Sequence, residues 1–416
     1  MTVLGCIADD FTGASDAASF LVKGGMSVRL VNGVPEREDG GEDDAQAIVV
    51  ALKSRTQETE GAVRDSLAAA EYLLGKGARQ IYFKYCSTFD STPEGNIGPV
   101  ADALMERLKA PCTVLCPALP VNGRTVRDGE LMVNGGPLHQ SPMKNHPLTP
   151  MWDCRIGELM RPQSRYGCRI LRREELKGWS PDACGGEPFY LIPDYEREED
   201  GAAIVDVFGD LPLLTGGSGL LEPLARRWTA RLGTAGRIPE SRTGGRAILL
   251  AGSCSKATLG QIAWYEGQGN PCLKLDPEAM LAGRQTVEEA WEFVESQGDQ
   301  TPLVYSSDTP EKVREYQKLG RERVAQLLES STAWLARTAA ENGFARIICA
   351  GGETAGAVTK ALGFSSYWIG ESVAPGVPVM VPVENPRIRL ILKSGNFGQE
   401  DFFGRALAMT EKRGED

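Results

Sequence analysis

"CIADDFTGAS", residues 6–15, closes an apolar run with two adjacent aspartates, Asp9 and Asp10, and then opens a turn that carries Gly13. The run Val3, Leu4, Cys6, Ile7 and Ala8 is short and meets turn chemistry at once, which predicts a buried strand of an α/β sheet. Ala14, Ala17, Ala18, Leu21 and Val22 then recur at helical spacing until Gly24-Gly25 stops the pattern. The aspartate pair therefore falls at the carboxyl end of a strand. In open parallel sheets ligands bind along that edge, where strand-to-helix loops converge beside helix amino termini. A helix cap from Asp10 or Thr12 uses one side-chain oxygen, so the other carboxylate needs a cation, a hydroxyl or water.

Outward from this stretch the same rhythm continues. Strands are predicted at 27–31, 47–52, 80–85 and 113–119, and helices over about 58–75 and 97–109. A Pro/Gly-rich stretch at about 117–150 reads as irregular and is too long for an ordinary connection, so it is expected to be functional or disordered. Order resumes with "PFYLIPD" and "LPLLTGGSGL", the latter leading into a helix to about Leu232. The segment "GTAGRIPESRTGGR" (233–246) is poor in large apolar residues and reads as a linker. A second alternation follows in "AILLAG", "PLVYSS", "RIICAGG", "VPVMVPV" and "RLILKSG", with one long charged helical segment at 310–342 whose charges read as a solvated face. The expected architecture is α/β in two domains, 1–232 and 247–416, each a mainly parallel sheet flanked by helices.

Composition limits what such a chain can do. Its 416 residues and 42% hydrophobic content are enough for two cores. A net charge of −11 argues against a nucleic-acid partner, which requires a basic face. The start "MTVLGC" lacks a basic segment, and no stretch approaches the ~20 apolar residues that span a bilayer, so a cytoplasmic protein without a membrane partner is expected. Ten cysteines are scattered singly, several inside apolar runs, as suits reduced thiols. Cys112 and Cys116 do not form a CxxC, and with only His139 and His146 present no metal centre built on protein ligands is expected. His146, set between "MKN" and "PLTPM", is the histidine kept as a candidate.

Three predicted strands of the second half end in small residues: Gly252, Ser253 and Ser255; then Gly351-Gly352 followed by Glu353 and Thr354; then Gly395 and Gly398. Glycine permits close backbone approach and helix-start amides donate to phosphate oxygens, so their recurrence at one sheet edge predicts a nucleotide pocket. The spacing is neither GxxxxGK[ST] nor GxGxxG, so the nucleotide would be held in another way. Each turn alone is ordinary punctuation, and Glu353 and Thr354 would serve equally as first-turn acid and cap or as groups orienting phosphate-bound Mg²⁺. In the first half, Arg55 in "ALKSRT", Lys84 in "FKYCSTFDST" and Arg124 in "PVNGRTV" are cations at strand ends suited to a carboxylated ligand. "CSTFDSTPEGNIG" adds Asp90 and Ser91; a capped turn accounts for Ser91 and Thr92 but less easily for Lys84 and Asp90.

Taken in order, "IADDFTGASD", "FKYCSTFDSTPEGNIGPV", "CPALPVNGRTV", "NHPLTPM", "LLTGGSGL" and "AGGETAGAV" resemble the four-carbon acid sugar kinase family, most closely its 3-oxo-tetronate branch, across both halves of the chain. The resemblance implies an amino-terminal sugar-acid domain, a carboxyl-terminal nucleotide domain, an active site in the cleft between them, and ATP with Mg²⁺ as phosphoryl donor. It further implies substrate-site positions at Asp10, Arg55, Lys84, Asp90 and Ser91, and ATP-site positions at Ser255, Gly351, Gly352, Glu353, Thr354 and Gly395. A homo-oligomer is compatible with it. A related threonate branch carries an Arg where "FDSTPEG" stands here, so a different group must meet the substrate carboxylate. On this reading one of Asp9 and Asp10 accepts or orients the reacting hydroxyl, with Arg55 and Lys84 anchoring the carboxylate. A threonate or erythronate kinase, a non-catalytic sugar-acid sensor and an aspartate-pair hydrolase are the competing classes.

Overall fold

The computed structural model describes residues 1–35, 44–146, 149–179 and 186–412. Its chain divides into two compact units, Met1–Ile238 and Pro239–Asp416. Within the linker segment, Gly236 N–H donates to the Gly25 carbonyl (2.8 Å) in the first unit, whereas Thr243 N–H donates to the Thr410 carbonyl (2.9 Å) in the second.

The first unit contains β1 (Leu4–Ala8), β2 (Val28–Asn32), β3 (Ala47–Ala51), β4 (Gln80–Lys84), β5 (Cys112–Cys116), β6 (Arg124–Arg127), β7 (Glu130–Val133), β8 (Gly136–Pro137), β9 (Gly167–Leu171), β10 (Phe189–Pro193) and β11 (Leu213–Gly216). Eight of them pair in the order β2-β3-β1-β4-β11-β5-β10-β9, every pair parallel. All five residues of β1 are buried, as a central parallel strand covered on both faces requires. Gly5 is where the helix Thr59–Gly75 comes down onto β1: a Cβ there would lie 2.9 Å from Leu73 and Ile81 side-chain atoms. The chain leaves β1 toward β2 and β3 on one side and leaves β4 toward β5 on the other. The β1/β4 boundary is thus a topological switch point, the crevice where open α/β sheets bind ligands.

The stretch 117–150, expected to be irregular, is partly ordered into an antiparallel sheet in the order β6-β7-β8. Alternation there is short and broken by turn residues such as Asn134, which sits at φ 52°, so no strand period was visible. The strand expected at 113–119 stops at Cys116, because Pro117 follows and removes a ladder donor. Strand β9 was missed: most of its side chains are partly or fully exposed, and it lacks an apolar run.

The second unit contains β12 (Arg246–Ala251), β13 (Cys272–Lys274), β14 (Leu303–Tyr305), β15 (Phe344–Ala350), β16 (Ser366–Ala374), β17 (Val377–Pro382) and β18 (Arg389–Lys393). They run in the order β13-β14-β12-β15-β18-β17-β16, parallel up to β18 and antiparallel through β17. Leu249, Ile348 and Ile391 of three adjacent strands pack with Tyr265, Phe402 and Phe403 from flanking helices. The segment 310–342 is two helices, Pro310–Gln317 and Arg321–Glu341, divided at Gly320, whose φ of 108° no helix accommodates. Among the described residues no helix is long and apolar enough to cross a membrane.

Candidate active site

Strand register brings the first-unit candidates together. Ala8 of β1 pairs with Ala51 of β3 on one side and Lys84 of β4 on the other, so the loops after these strands emerge side by side. Asp9 and Asp10 come from the first loop, Lys53, Arg55 and Thr56 from the second, and Asp90 from the third. The loops are bonded to one another: Leu52 N–H donates to the Ala8 carbonyl (2.9 Å), Arg55 N–H to the Asp9 carbonyl (3.3 Å), and Asp9 N–H to the Lys84 carbonyl (3.1 Å).

Arg55 is the hub of the cluster. Its Nε and Nη2 donate to Asp9 Oδ2 and Oδ1, each at 2.8 Å; Nη2 also lies 2.9 Å from Asp10 Oδ1, and Nη1 lies 3.5 Å from Asp90 Oδ2. Burial pushes the Asp9 carboxyl above its ordinary range, against the opposing pull of Arg55. The surrounding carboxylates outweigh burial at Arg55 and hold its guanidinium well above its usual value. Asp10 fills both roles that its position suggested: its Oδ1 accepts from Gly13 N–H at 2.8 Å, capping the helix Phe11–Lys23, and it also pairs with Arg55. Its side chain remains about a third exposed (32%), whereas that of Asp9 is 5% exposed.

A cavity of about 340 Å³ opens over this cluster, walled by Asp9, Asp10, Lys53, Arg55, Asp90 and His146, with Thr56 and Thr149 beside them. Phe89 and Asp90 both adopt left-handed φ angles (61° and 34°), rare for such residues, and thereby aim the Asp90 carboxylate back toward Arg55. Asp90 accepts from the Thr149 hydroxyl, and His146 Nδ1 accepts from Thr149 N–H at 3.1 Å. Pro147 and Leu148, in the middle of "NHPLTPM", lie outside the described residues.

Two of the expected carboxylate anchors are engaged by the protein itself. The donors of Arg55 face three carboxylates, as given above. Lys84 is buried, with Nζ 3.9 Å from Asp16 Oδ2; Asp16 in turn accepts from the Ser218 hydroxyl. Burial lowers the Lys84 ammonium, but Asp16, Asp10 and Asp9 together hold it above its ordinary value. Ser91 is buried and donates to Gln163 Oε1 (2.9 Å), outside the main cavity. Arg124 donates to the Asn122 carbonyl and is not in the cavity wall, although it acts electrostatically on Asp16. Lys53, Thr56 and Thr149 were not foreseen. The signal that marked Arg55, a cation in the turn after an apolar strand, marks Lys53 equally.

The second-unit candidates also share one edge. Ala251, Ala350 and Lys393 are aligned across β12, β15 and β18, so Gly252, Gly351 and Ser394 leave the sheet together. Gly351 stands at φ 135°, and a Cβ on it would lie 2.9 Å from Thr354 Oγ1 and 3.1 Å from Ser253 N; one on Gly395 would lie 2.2 Å from Ser253 Oγ. Ser255 caps the helix Lys256–Gly267 through Thr258 N–H (3.2 Å) and donates to the Gly395 carbonyl (2.6 Å). Gly352 and Glu353 are exposed at the start of the helix Gly352–Leu362, Thr354 is buried behind them, and the space a Gly352 Cβ would enter is open. Thr258 and Lys393 were not foreseen. Lys393 Nζ donates to Thr258 Oγ1 (2.9 Å) and to the carbonyls of Ser394 (3.2 Å) and Gly395 (2.9 Å), tying the third turn to the first.

One His/Cys/Asp group occurs among the described residues: ligand atoms of His139, Asp153 and Cys154 lie within 4.8 Å of one another. Arg155 and two backbone amides already occupy Asp153 and hold its carboxyl down at about 2, so the carboxylate is not left for an ion.

A sheet-edge cavity rich in carboxylates and cations in one unit, and a glycine-rich phosphate-type edge in the other, define a protein with separate polar-substrate and nucleotide domains. The chain matches the sugar-binding N-terminal domain family over residues 4–224 and the nucleotide-binding C-terminal domain family over residues 248–403. It is 42% identical over 415 residues to a 3-oxo-tetronate kinase of Pseudomonas savastanoi pv. phaseolicola, covering 97% of this chain and 96% of the relative. It is 40% identical over 417 residues to one of Haemophilus influenzae, covering 98% and 100%. Among solved structures, a Salmonella typhimurium LT2 protein described as a tRNA synthase has a TM-score of 0.89 at 39% identity, covering 99% of this chain and 100% of that one. A Haemophilus influenzae protein of the DUF1537 family has a TM-score of 0.83 at 39% identity, covering 97% and 99%. The chain belongs to the four-carbon acid sugar kinase family.

Proposed function

We propose that this protein is an ATP-dependent kinase that phosphorylates the C4 hydroxyl of 3-oxo-tetronate, giving 3-oxo-tetronate 4-phosphate. The observation that carries the proposal is the similarity to 3-oxo-tetronate kinases along nearly the whole chain, spanning both the carboxylate cluster and the glycine-rich edge.

Phosphoryl transfer requires an in-line hydroxyl, a proton acceptor and charge neutralisation. Asp10 is the acceptor. Asp9 spends both oxygens on Arg55, while Asp10 engages only Oδ1 and keeps a side exposed to the cavity. Asp9 and Asp90 hold Arg55 in place, and Arg55 in turn keeps the Asp10 carboxylate oriented. ATP is bound by the second unit, with phosphate oxygens at the exposed amides of Gly352 and Glu353 and at the Ser253 hydroxyl, while Ser255 spends its own proton on the Gly395 carbonyl and fixes the turn. The exposed Glu353 carboxylate at this phosphate-type edge suits a hard, oxygen-seeking cation, so Glu353 would help hold Mg²⁺, whose contribution is neutralisation of phosphate charge.

The test is coupled ADP release with Mg·ATP against both configurations of 3-oxo-tetronate, D- and L-threonate, and D-erythronate. Turnover confined to a 3-oxo acid supports the proposal. Turnover of only a plain tetronate retains the kinase and changes its substrate, and nucleotide-independent phosphate release from model esters would favour a hydrolase instead.

A further inference from the structure

We propose that Lys53 is the residue that binds the substrate carboxylate and selects acids over neutral sugars. This inference rests on the sugar-acid reading above and names the group that recognises the acid.

Charge bookkeeping in the cavity leads to this residue. Asp9, Asp10 and Asp90 are set against the single guanidinium of Arg55, which contacts all three. That much of the wall carries excess negative charge and repels an anion. Lys84 adds no accessible cation, being buried against Asp16. His146 is engaged within the wall: its Nδ1 accepts from Thr149 N–H at 3.1 Å and lies 3.6 Å from Asp90 Oδ1. Lys53 also lines the cavity, is exposed, and has no ion pair or hydrogen bond among the described residues.

The backbone beneath Lys53 is tied to its neighbours, while its exposed side chain makes no ion pair or hydrogen bond among the described residues. Leu52 N–H is bonded to the Ala8 carbonyl, Arg55 N–H to the Asp9 carbonyl, and the Ser54 carbonyl accepts from Asn96 Nδ2 at 2.7 Å. The turn therefore presents an ammonium on a rigid base at the cavity wall, two residues from the buried hub. A compact ammonium on a flexible stem is suited to a carboxylate that arrives and leaves with each turnover. A hydroxyl of the same ligand would then be left to Asp10.

The experiment compares wild type, Lys53→Met and Lys53→Arg for binding by calorimetry and for steady-state turnover, using 3-oxo-tetronate and the amide that replaces its carboxylate. Lys53 makes no ion pair or side-chain hydrogen bond among the described residues, so unchanged melting temperatures are expected. Lys53→Met should raise KM and Kd for the acid about 10- to 100-fold, leave KM for ATP unchanged, and narrow the acid-to-amide preference. Lys53→Arg should restore most of that preference. If Lys53→Met leaves acid affinity intact, or weakens acid and amide equally, the assignment of Lys53 is overturned while the kinase reading stands. If wild type neither binds nor phosphorylates any four-carbon acid, the functional reading is overturned and this inference with it.

Discussion

Asp9 and Asp10 are adjacent in sequence and differ in surroundings: one is a buried bidentate partner of Arg55, the other a helix cap with one oxygen toward the cavity. Asp10→Asn should lower kcat by roughly 10²- to 10⁴-fold while leaving the melting temperature close to wild type, because an amide oxygen still accepts from Gly13 N–H. Asp9→Ala should act on stability first. It strips a half-buried guanidinium of its principal partner, a loss of up to about 3 kcal/mol, kept to the low end because 21% of the Arg55 side chain meets solvent and two carboxylates remain. Parallel melting curves and saturation kinetics on the two variants check both statements. A normal kcat in Asp10→Asn would remove Asp10 as proton acceptor. The pair itself was legible from sequence; the division of labour was not, because it depends on Arg55, 45 residues further along and brought alongside only by the β1/β3 register.

At the scale of elements, both sites are built the same way: parallel strands end in one row and the loops beyond them interlock. Such rows follow from register, so the individual turns were visible in the sequence but their adjacency was not. Strands buried on both faces, such as β1 and β3, were easy to read as apolar runs, whereas β9 and the short β6–β8 sheet, with exposed or broken patterns, were not. Lys393, which follows the apolar Leu390, Ile391 and Leu392 at the end of β18, shows what such a row demands. Burial pushes its ammonium down to about 8 from the ordinary 10.5. Below pH 8 the group is charged in folded and unfolded chains alike, and its desolvation cost is constant. Between about 8 and 10.5 the unfolded chain binds the proton and the folded one does not, so stability should rise with pH across that window. Denaturant titrations of wild type and Lys393→Met from pH 7.5 to 10.5 should show the wild type gaining stability relative to the variant across that window; equal slopes would refute it.

For the whole molecule, the expectation is one ligand for each unit. The net charge of −11 accords with a small substrate recognised by a few placed cations rather than by a broad basic field. In hydrogen exchange, a nonhydrolysable ATP analogue should protect amides near 252–255, 351–354 and 394–395, while the sugar acid should protect 9–13, 53–56 and 86–91. Protection of the second-unit turns by the acid alone would reverse the assignment of the two sites.

The central claim is that the protein moves a phosphoryl group from ATP to the C4 oxygen of a four-carbon sugar acid, and phosphorus NMR of the reaction mixture with 3-oxo-tetronate tests it most directly. The account predicts a phosphomonoester resonance coupled to the two C4 protons, formed in step with ADP and nearly absent with Asp10→Asn. Inorganic phosphate as the sole product, or an ester lacking coupling to the C4 protons, would contradict it.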